Sequence, residues 1–238
     1  MRLYIIRHAD PDYANDTITT HGHAEARALA DRLRDVKIDH LYTSPLGRAR
    51  ATAKYTADLK NQEPKVLEWT AERGHWRVEQ PHDAGADVCL WDIHGHRVRA
   101  CEPLPQQHDW HTIAPFDNPL FREEYDEICQ QSDELLATHG YVHDKGVYRI
   151  ERSNRDSLAV FCHGGLGLIW LAHLLALPLP SVFVGFFLPP TSVTTILFDE
   201  RNNDVAVPRC IGMGDLSHLY AAGLHNVRMP VGIKANYE

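Results

Sequence analysis

Apolar residues fall along this 238-residue chain in short runs and in helical stripes. Leu3-Tyr4-Ile5-Ile6 is an unbroken run, too brief for a helix, and it predicts a buried strand. The run ends on Arg7-His8, then Ala9-Asp10-Pro11-Asp12, which has turn composition. Over residues 21–36, Ala26, Leu29, Ala30 and Leu33 recur at helical spacing with charges mostly opposite, and Thr20 is the expected N-cap. Residues 38–43 read as a second strand, so the strand–helix–strand order predicts a parallel βαβ unit. Ser44-Pro45 then opens a second helix, striped by Leu46, Ala49, Ala53 and Ala57, with Pro45 where its missing N–H costs nothing. Arg48 lies in the first turn and shares a face with Thr52. A short third strand is expected over residues 65–69.

Residues 73–118 show no period. Loops this long in compact domains are usually functional or disordered, and Trp76, Trp91 and Trp110 favour an ordered lid folded over the strand ends. Residues 119–139 form a helix through Phe121, Tyr125, Ile128 and Leu135, with Gly140 as its C-cap. An edge strand is expected at 146–151. A strand over 157–162 ends at His163-Gly164-Gly165 and leads into an apolar helix at 166–176. Further strands follow at 192–198 and 205–211, and the tail beyond His225 is loop-like. The apolar run 164–179 is shorter than the ~20 residues a membrane span needs, contains His173 and stops at Pro178 and Pro180, so it reads as a buried helix. The pattern predicts one α/β domain over 1–238: a three-layer sandwich with a mostly parallel central sheet, helices on both faces, and an irregular lid insertion at 73–118.

Composition narrows the partners. Hydrophobic content of 44% and charged content of 24% suit a soluble globular protein. The net charge of −8 leaves no global basic field for nucleic acid, so an anion site must be a local cluster of cations. Five cysteines without a C-x-x-C pair argue against a disulfide framework and fit a reducing compartment. With no signal peptide legible before the first strand, a cytoplasmic protein without membrane contact is expected. His94 with His96, or His108 with His111, could place two imidazoles on one cation, but no cysteine or carboxylate stands at a clear zinc spacing beside them. No metal is expected.

Ligands of open α/β sheets bind beyond the carboxyl ends of the strands. Arg7-His8, Arg48 and His163 each stand at or within a turn of such an end. Two guanidiniums, two imidazoles and the N–H groups of a helix start would together form a phosphate-sized anion pocket.

Five stretches carry a resemblance. They are LYIIRHAD (3–10), ITTHGHAEARALADRL (18–33), LYTSPLGRARATA (41–53), LEWTAE (67–72) and VFCHGGLG (160–167). In this order they resemble the R-H-G motif, the L-T-x-x-G helix start, the S-P-L-x-R-A-x-x-T-A motif, the acid-bearing segment and the second histidine of the histidine phosphatase superfamily, phosphoglycerate mutase-like branch. The resemblance implies a metal-independent phosphatase of a small phosphorylated metabolite, without cofactor, with a homodimer possible. His8 would be the nucleophile and form a phosphohistidine, its other nitrogen held by a backbone carbonyl. Arg7, Arg48 and His163 would bind the phosphoryl oxygens, and Gly164 could add its N–H. Glu72 would be the general acid and then the base, with Glu68 as its competitor. Asn15 resembles a substrate-binding Asn, displaced by about one position. Ala9 stands where the family usually has Gly, Asp10 where the mutases have Glu, and Pro11 where they have Ser. The departures at Asp10 and Pro11 weaken the alternative of a phosphomutase, and the intact set of His8, Arg7, Arg48, Glu72 and His163 argues against the other alternative, a non-catalytic phospho-ligand binding protein. Ser217-His218-Leu219-Tyr220 is expected to close the pocket edge.

Overall fold

The structure is a computed structural model and describes residues 1–79, 87–202 and 204–227. The end of the expected C-terminal loop and the middle of the lid lie outside the described residues. The first apolar run forms β1 (Arg2–Arg7), followed by α1 (Thr20–Leu33), β2 (His40–Thr43), α2 (Gly47–Lys60) and β3 (Lys65–Val66). After the lid come α3 (Pro119–Thr138), β4 (Tyr141–Asp144), β5 (Val147–Ile150), β6 (Ser157–Cys162), α4 (Gly164–Leu174) and α5 (Leu179–Gly185). The chain continues with β7 (Val193–Asp199), β8 (Val205–Asp215) and α6 (Ser217–Ala221).

The eight strands form one sheet in the order β3-β2-β6-β1-β7-β8-β5-β4. β3, β2, β6 and β1 run parallel. β7, β8, β5 and β4 continue the sheet with antiparallel pairings. The fold is the expected α/β sandwich, and its sheet is mixed, with the candidate chemistry on the parallel half. β1 and β2 are parallel as expected, but β6 lies between them. In β1, Leu3 and Ile5 join one core and Ile6 the other, as the two-residue period of a strand requires. Leu29, Leu33, Ala53 and Ala57 of α1 and α2 cover the Ile6 face together with Ala159 and Phe161. α3, α4 and α5 cover the opposite face. The lid joins that core through Trp76 and Trp110, both fully buried. α4 is buried nearly all round, which accounts for its apolar sequence. Among the described residues no helix is long and apolar enough to cross a membrane.

Several boundaries differ from expectation, each for a local reason. Thr19, not Thr20, caps α1, its hydroxyl accepting the Gly22 N–H at 3.0 Å. Pro45 lies outside α2, which starts at Gly47; there a Cβ would come within 2.0 Å of the Asp16 carbonyl oxygen. The third strand stops at Val66, because residues 68–70 turn into a 3-10 helix closed by Thr70 Oγ1 donating to the Leu67 carbonyl. Residues 147–150 are not an edge strand. β4 lies outside them, joined by a tight turn in which Lys145 and Gly146 both have positive φ.

Candidate active site

β1 and β6 run side by side with Arg7 opposite Cys162, so the residues that follow them, His8 and His163, emerge together. Their ring centroids are 5.1 Å apart. The turn after β1 is fixed by its neighbours. The His8 N–H donates to Cys162 O at 2.9 Å, Thr191 N donates to His8 O at 3.1 Å, and Ala9 N donates to Thr52 Oγ1 at 2.9 Å. Thr52, predicted to share a face with Arg48, thus positions the histidine turn. Ala9 is not among the residues with positive φ, so a side chain is accommodated where the family usually has Gly.

His8 Nδ1 lies 2.7 Å from the Ala9 carbonyl oxygen. A carbonyl only accepts, so Nδ1 carries the proton and Nε2 keeps its lone pair. The expected backbone partner is therefore Ala9. Burial, then the neighbouring Arg7, hold His8 well below the ordinary imidazole range, so it is neutral at pH 7. His163 is neutral for the same first reason, and next because of His8. Its Nε2 lies 2.7 Å from the hydroxyl of Ser44, which also accepts the Leu46 N–H. Ser44 therefore orients the second histidine instead of capping a helix. His163 Nδ1, Arg7 Nε and Arg48 Nε are buried and have no hydrogen-bond partner among the described residues. The remaining guanidinium contacts fix both arginines. Arg7 donates to the Leu188 carbonyl at 2.6 Å and lies over Phe187; Arg48 donates to Asp16 Oδ1 at 2.8 Å and lies over Tyr13.

Glu72 takes two of the helix-start amides. Its carboxylate accepts from Gly165 N at 3.1 Å and Leu166 N at 2.8 Å. The start of α4 therefore holds the candidate acid rather than presenting these N–H groups to phosphate, and Gly164 N is not one of the two. Burial raises the Glu72 carboxyl above its ordinary range, and the two amides only partly offset this. Glu68 lies exposed on the 3-10 turn and does not line the cavity.

Arg7, Arg48, Glu72, Gly164 and Gly165 line a cavity of about 940 Å³. His8 and His163, 1% and 0% exposed, are buried beside them and are not themselves part of the lining. Residues of the 73–118 segment form the opposite wall, through the pairing of Arg77–Glu79 with Asp87–Cys89 and through Trp91, Asp92 and Ile93. Trp91 rests on Gly165, where a Cβ would meet the indole at 2.5 Å. A further wall, not foreseen from the sequence, is α5 and the loop through Leu188. Asp92 also escaped the sequence reading. It lines the cavity and is pushed up to about 6, first by burial, with Arg7 opposing and Glu72 adding to the shift. A strand-end motif points to neither, because both reach the cavity through tertiary packing.

Asn15 is not brought to the site. It is exposed, its Nδ2 donates to Asp12 Oδ2 at 2.8 Å, and its neighbour Asp16 holds Arg48 instead. Nor does the Ser217–Tyr220 cluster close the pocket. His218 is buried near Thr191 and Arg32, while Tyr220 is 78% exposed. Neither His94 with His96 nor His108 with His111 belongs to a three-ligand group among the described residues.

The buried imidazoles set a pH dependence of stability. His8 and His163 are held well below 6.5, and burial pushes His139 and His218 down to about 4. The unfolded chain therefore binds more protons than the folded one as pH falls through 6.5, and stability falls with it. Between pH 7 and 6 each such imidazole costs about 0.7 kcal/mol. Below pH 6 Asp92, and the raised Glu72 and Glu25, act in the opposite sense. Thermal melts across pH 5–8 are expected to show the Tm falling as pH drops from 7 to 6; a Tm that rises there would mean the imidazoles are charged in the folded protein.

The model of the histidine phosphatase superfamily (branch 1) matches residues 3–210. No curated protein matches the chain in sequence. Several solved structures share its fold. Phosphoserine phosphatase from Entamoeba histolytica, in complex with 3-phosphoglyceric acid, superimposes with a TM-score of 0.61 at 20% identity, covering 92% of this chain and 98% of that one. Mycobacterial glucosyl-3-phosphoglycerate phosphatase, complexed with VO3, gives 0.54 at 18% identity over 90% and 98%. The alpha-ribazole phosphatase of Shigella flexneri gives 0.54 at 17% identity over 91% and 97%.

Proposed function

Because the chain belongs to the histidine phosphatase superfamily, we propose that it hydrolyses a small phosphomonoester through a covalent phosphohistidine on His8. The observation that carries this reading is His8 itself, neutral, with Nδ1 held by Ala9 O and flanked by Arg7, Arg48 and His163. Nε2 attacks phosphorus in line, and the bond to the leaving oxygen breaks. The arginines neutralise the charge on the phosphoryl oxygens, and the neutral His163 donates a hydrogen bond to them from Nδ1. For this the Ser44 hydroxyl donates to His163 Nε2, which places the proton on Nδ1. Glu72, its carboxyl raised above the ordinary range by burial, gives its proton to the leaving oxygen. The resulting carboxylate then takes a proton from water as that water attacks the phosphohistidine, releasing phosphate and restoring His8. The chain's own cations supply the positive charge, so turnover needs no metal or cofactor.

The cavity is larger than phosphate requires. The leaving group would pack against Val88, Trp91, Ile93 and Phe183 within it. Hydrolysis is favoured over phosphoryl return to substrate because Asp10, at the position where mutases carry Glu, is tied to Thr19 by a 2.7 Å hydrogen bond and lies outside the lining.

Rapid acid-avoiding quench with a labelled aryl phosphate is expected to trap an acid-labile phosphate on the protein, with one inorganic phosphate released per turnover. An isomerised phosphate ester would instead establish a mutase. Tight vanadate binding without phosphate release would establish a binding protein.

A further inference from the structure

We propose that His40, His139 and Asp156 form a binding site for a divalent transition-metal ion of the Zn²⁺ class, at the amino-terminal edge of the parallel strands. The three residues come from separate segments: the start of β2, the end of α3 and the residue before β6. One donor atom from each lies within 4.8 Å of the other two. His40 Nε2 and Asp156 Oδ2 are 3.7 Å apart, and the two imidazole centroids 4.5 Å apart. At 3.7 Å the pair is too long for a hydrogen bond. It is close to the roughly 3.4 Å that separates two ligands on a tetrahedral ion with bonds of about 2.0–2.1 Å.

His139 is only 4% exposed, and its Nε2 lies 2.9 Å from the Tyr42 hydroxyl. In the tautomer with the proton on Nε2, the Tyr42 hydroxyl accepts it and the lone pair is left on Nδ1, the role that an outer-shell partner plays at metal sites. Asn154 Nδ2, donating to the His139 carbonyl at 2.8 Å, holds the segment in place.

A second cluster provides the contrast. Asp133, His143 and His173 also lie within ligand distance of one another. There, however, Asp133 is in direct contact with His143 Nδ1 at 3.0 Å and His173 Nε2 at 2.8 Å, and it also accepts from Tyr148. The Gly146 N–H donates to His143 Nε2 at 3.2 Å, so Nδ1 already carries the proton. That network is complete without an ion, whereas among the described residues no hydrogen bond joins the side chains of His40, His139 and Asp156.

The donor set also selects the ion. One carboxylate stands against two cations near His139, Arg152 and Lys65. Mg²⁺ and Ca²⁺, which need several oxygen ligands, are poorly served, while two imidazoles suit Zn²⁺, Co²⁺ or Ni²⁺. Seven residues of extended chain separate Asp156 from His163, placing the ion roughly 20 Å from the phosphoryl site. It would clamp the end of α3 to the parallel sheet without touching the reacting atoms.

The test is titration of the chelator-stripped, full-length protein with Zn²⁺ by calorimetry and with Co²⁺ by visible absorption. One tight site is expected, with a tetrahedral Co²⁺ spectrum and a raised Tm in Zn²⁺. His40→Ala should weaken binding at least about tenfold and abolish the spectrum, while His143→Ala and His8→Ala retain both. If His40→Ala does not fold, Asp156→Asn serves in its place. Binding no tighter than about 100 μM, or binding that survives His40→Ala but is lost in His143→Ala or His8→Ala, would overturn the proposal.

Discussion

Replacing His8 with alanine is expected to lower kcat by roughly 10⁴–10⁶-fold and to remove the acid-labile phosphate altogether. The covalent route disappears with Nε2, and no neighbouring group can take its place. His163 Nε2 is engaged by Ser44, and Arg7 and Arg48 carry no lone pair to give. The fold should survive, since among the described residues the His8 side chain makes a single hydrogen bond, to the carbonyl of the next residue. The variant should still bind vanadate or phosphate, because Arg7, Arg48 and His163 remain. The check is steady-state turnover with rapid quench, beside a thermal melt. A variant that folds and turns over at the wild-type rate would end the phosphohistidine mechanism.

Glu72→Gln is expected to lower kcat by roughly 10²–10⁴-fold, and unequally among substrates. An aryl phosphate has a good leaving group and needs little proton donation, so its phosphorylation step should suffer less than that of an alkyl phosphate. The pH profile supplies a second signature. Burial raises the Glu72 carboxyl above the usual range, and donation requires the protonated form. The rate of the first step is therefore full below the Glu72 pKa and falls as pH rises through it; that limb should vanish in Glu72→Gln. Asp92 is the control, as a second cavity carboxyl pushed up to about 6. If Asp92→Asn removed the limb and Glu72→Gln kept it, the proton donor would be Asp92.

The candidate catalytic cluster was legible because its members stand where an apolar run stops. Arg7-His8 and His163 follow short apolar runs that read as buried strands, and parallel neighbours bring such ends together. Arg48 was legible from its place in the first turn of the next helix. The supporting contacts were not. Ser44 with His163, Thr52 with Ala9, and Glu72 with Gly165 join residues 119, 43 and 93 positions apart. No local pattern encodes such distances. The helix start misled for a physical reason: its amides bind any anion, and the nearest one is a carboxylate of the chain itself. Asn15 failed by one residue, since the left-handed backbone at Asp16 turns that carboxylate, not the Asn15 amide, toward Arg48. The direction of β7 and β8 went unread although it left a trace: both alternate in burial, as antiparallel strands with a wetter face do, while β6 is buried throughout.

The place of β6 between β1 and β2 has a consequence for synthesis. During translation the first two strands leave the ribosome more than a hundred residues ahead of the one that joins them. Until residue 162 has emerged, both present unpaired backbone, a template for wrong partners. Fragments ending near residue 150 should therefore clump, and His8 and His163 can meet only once that late segment slots home.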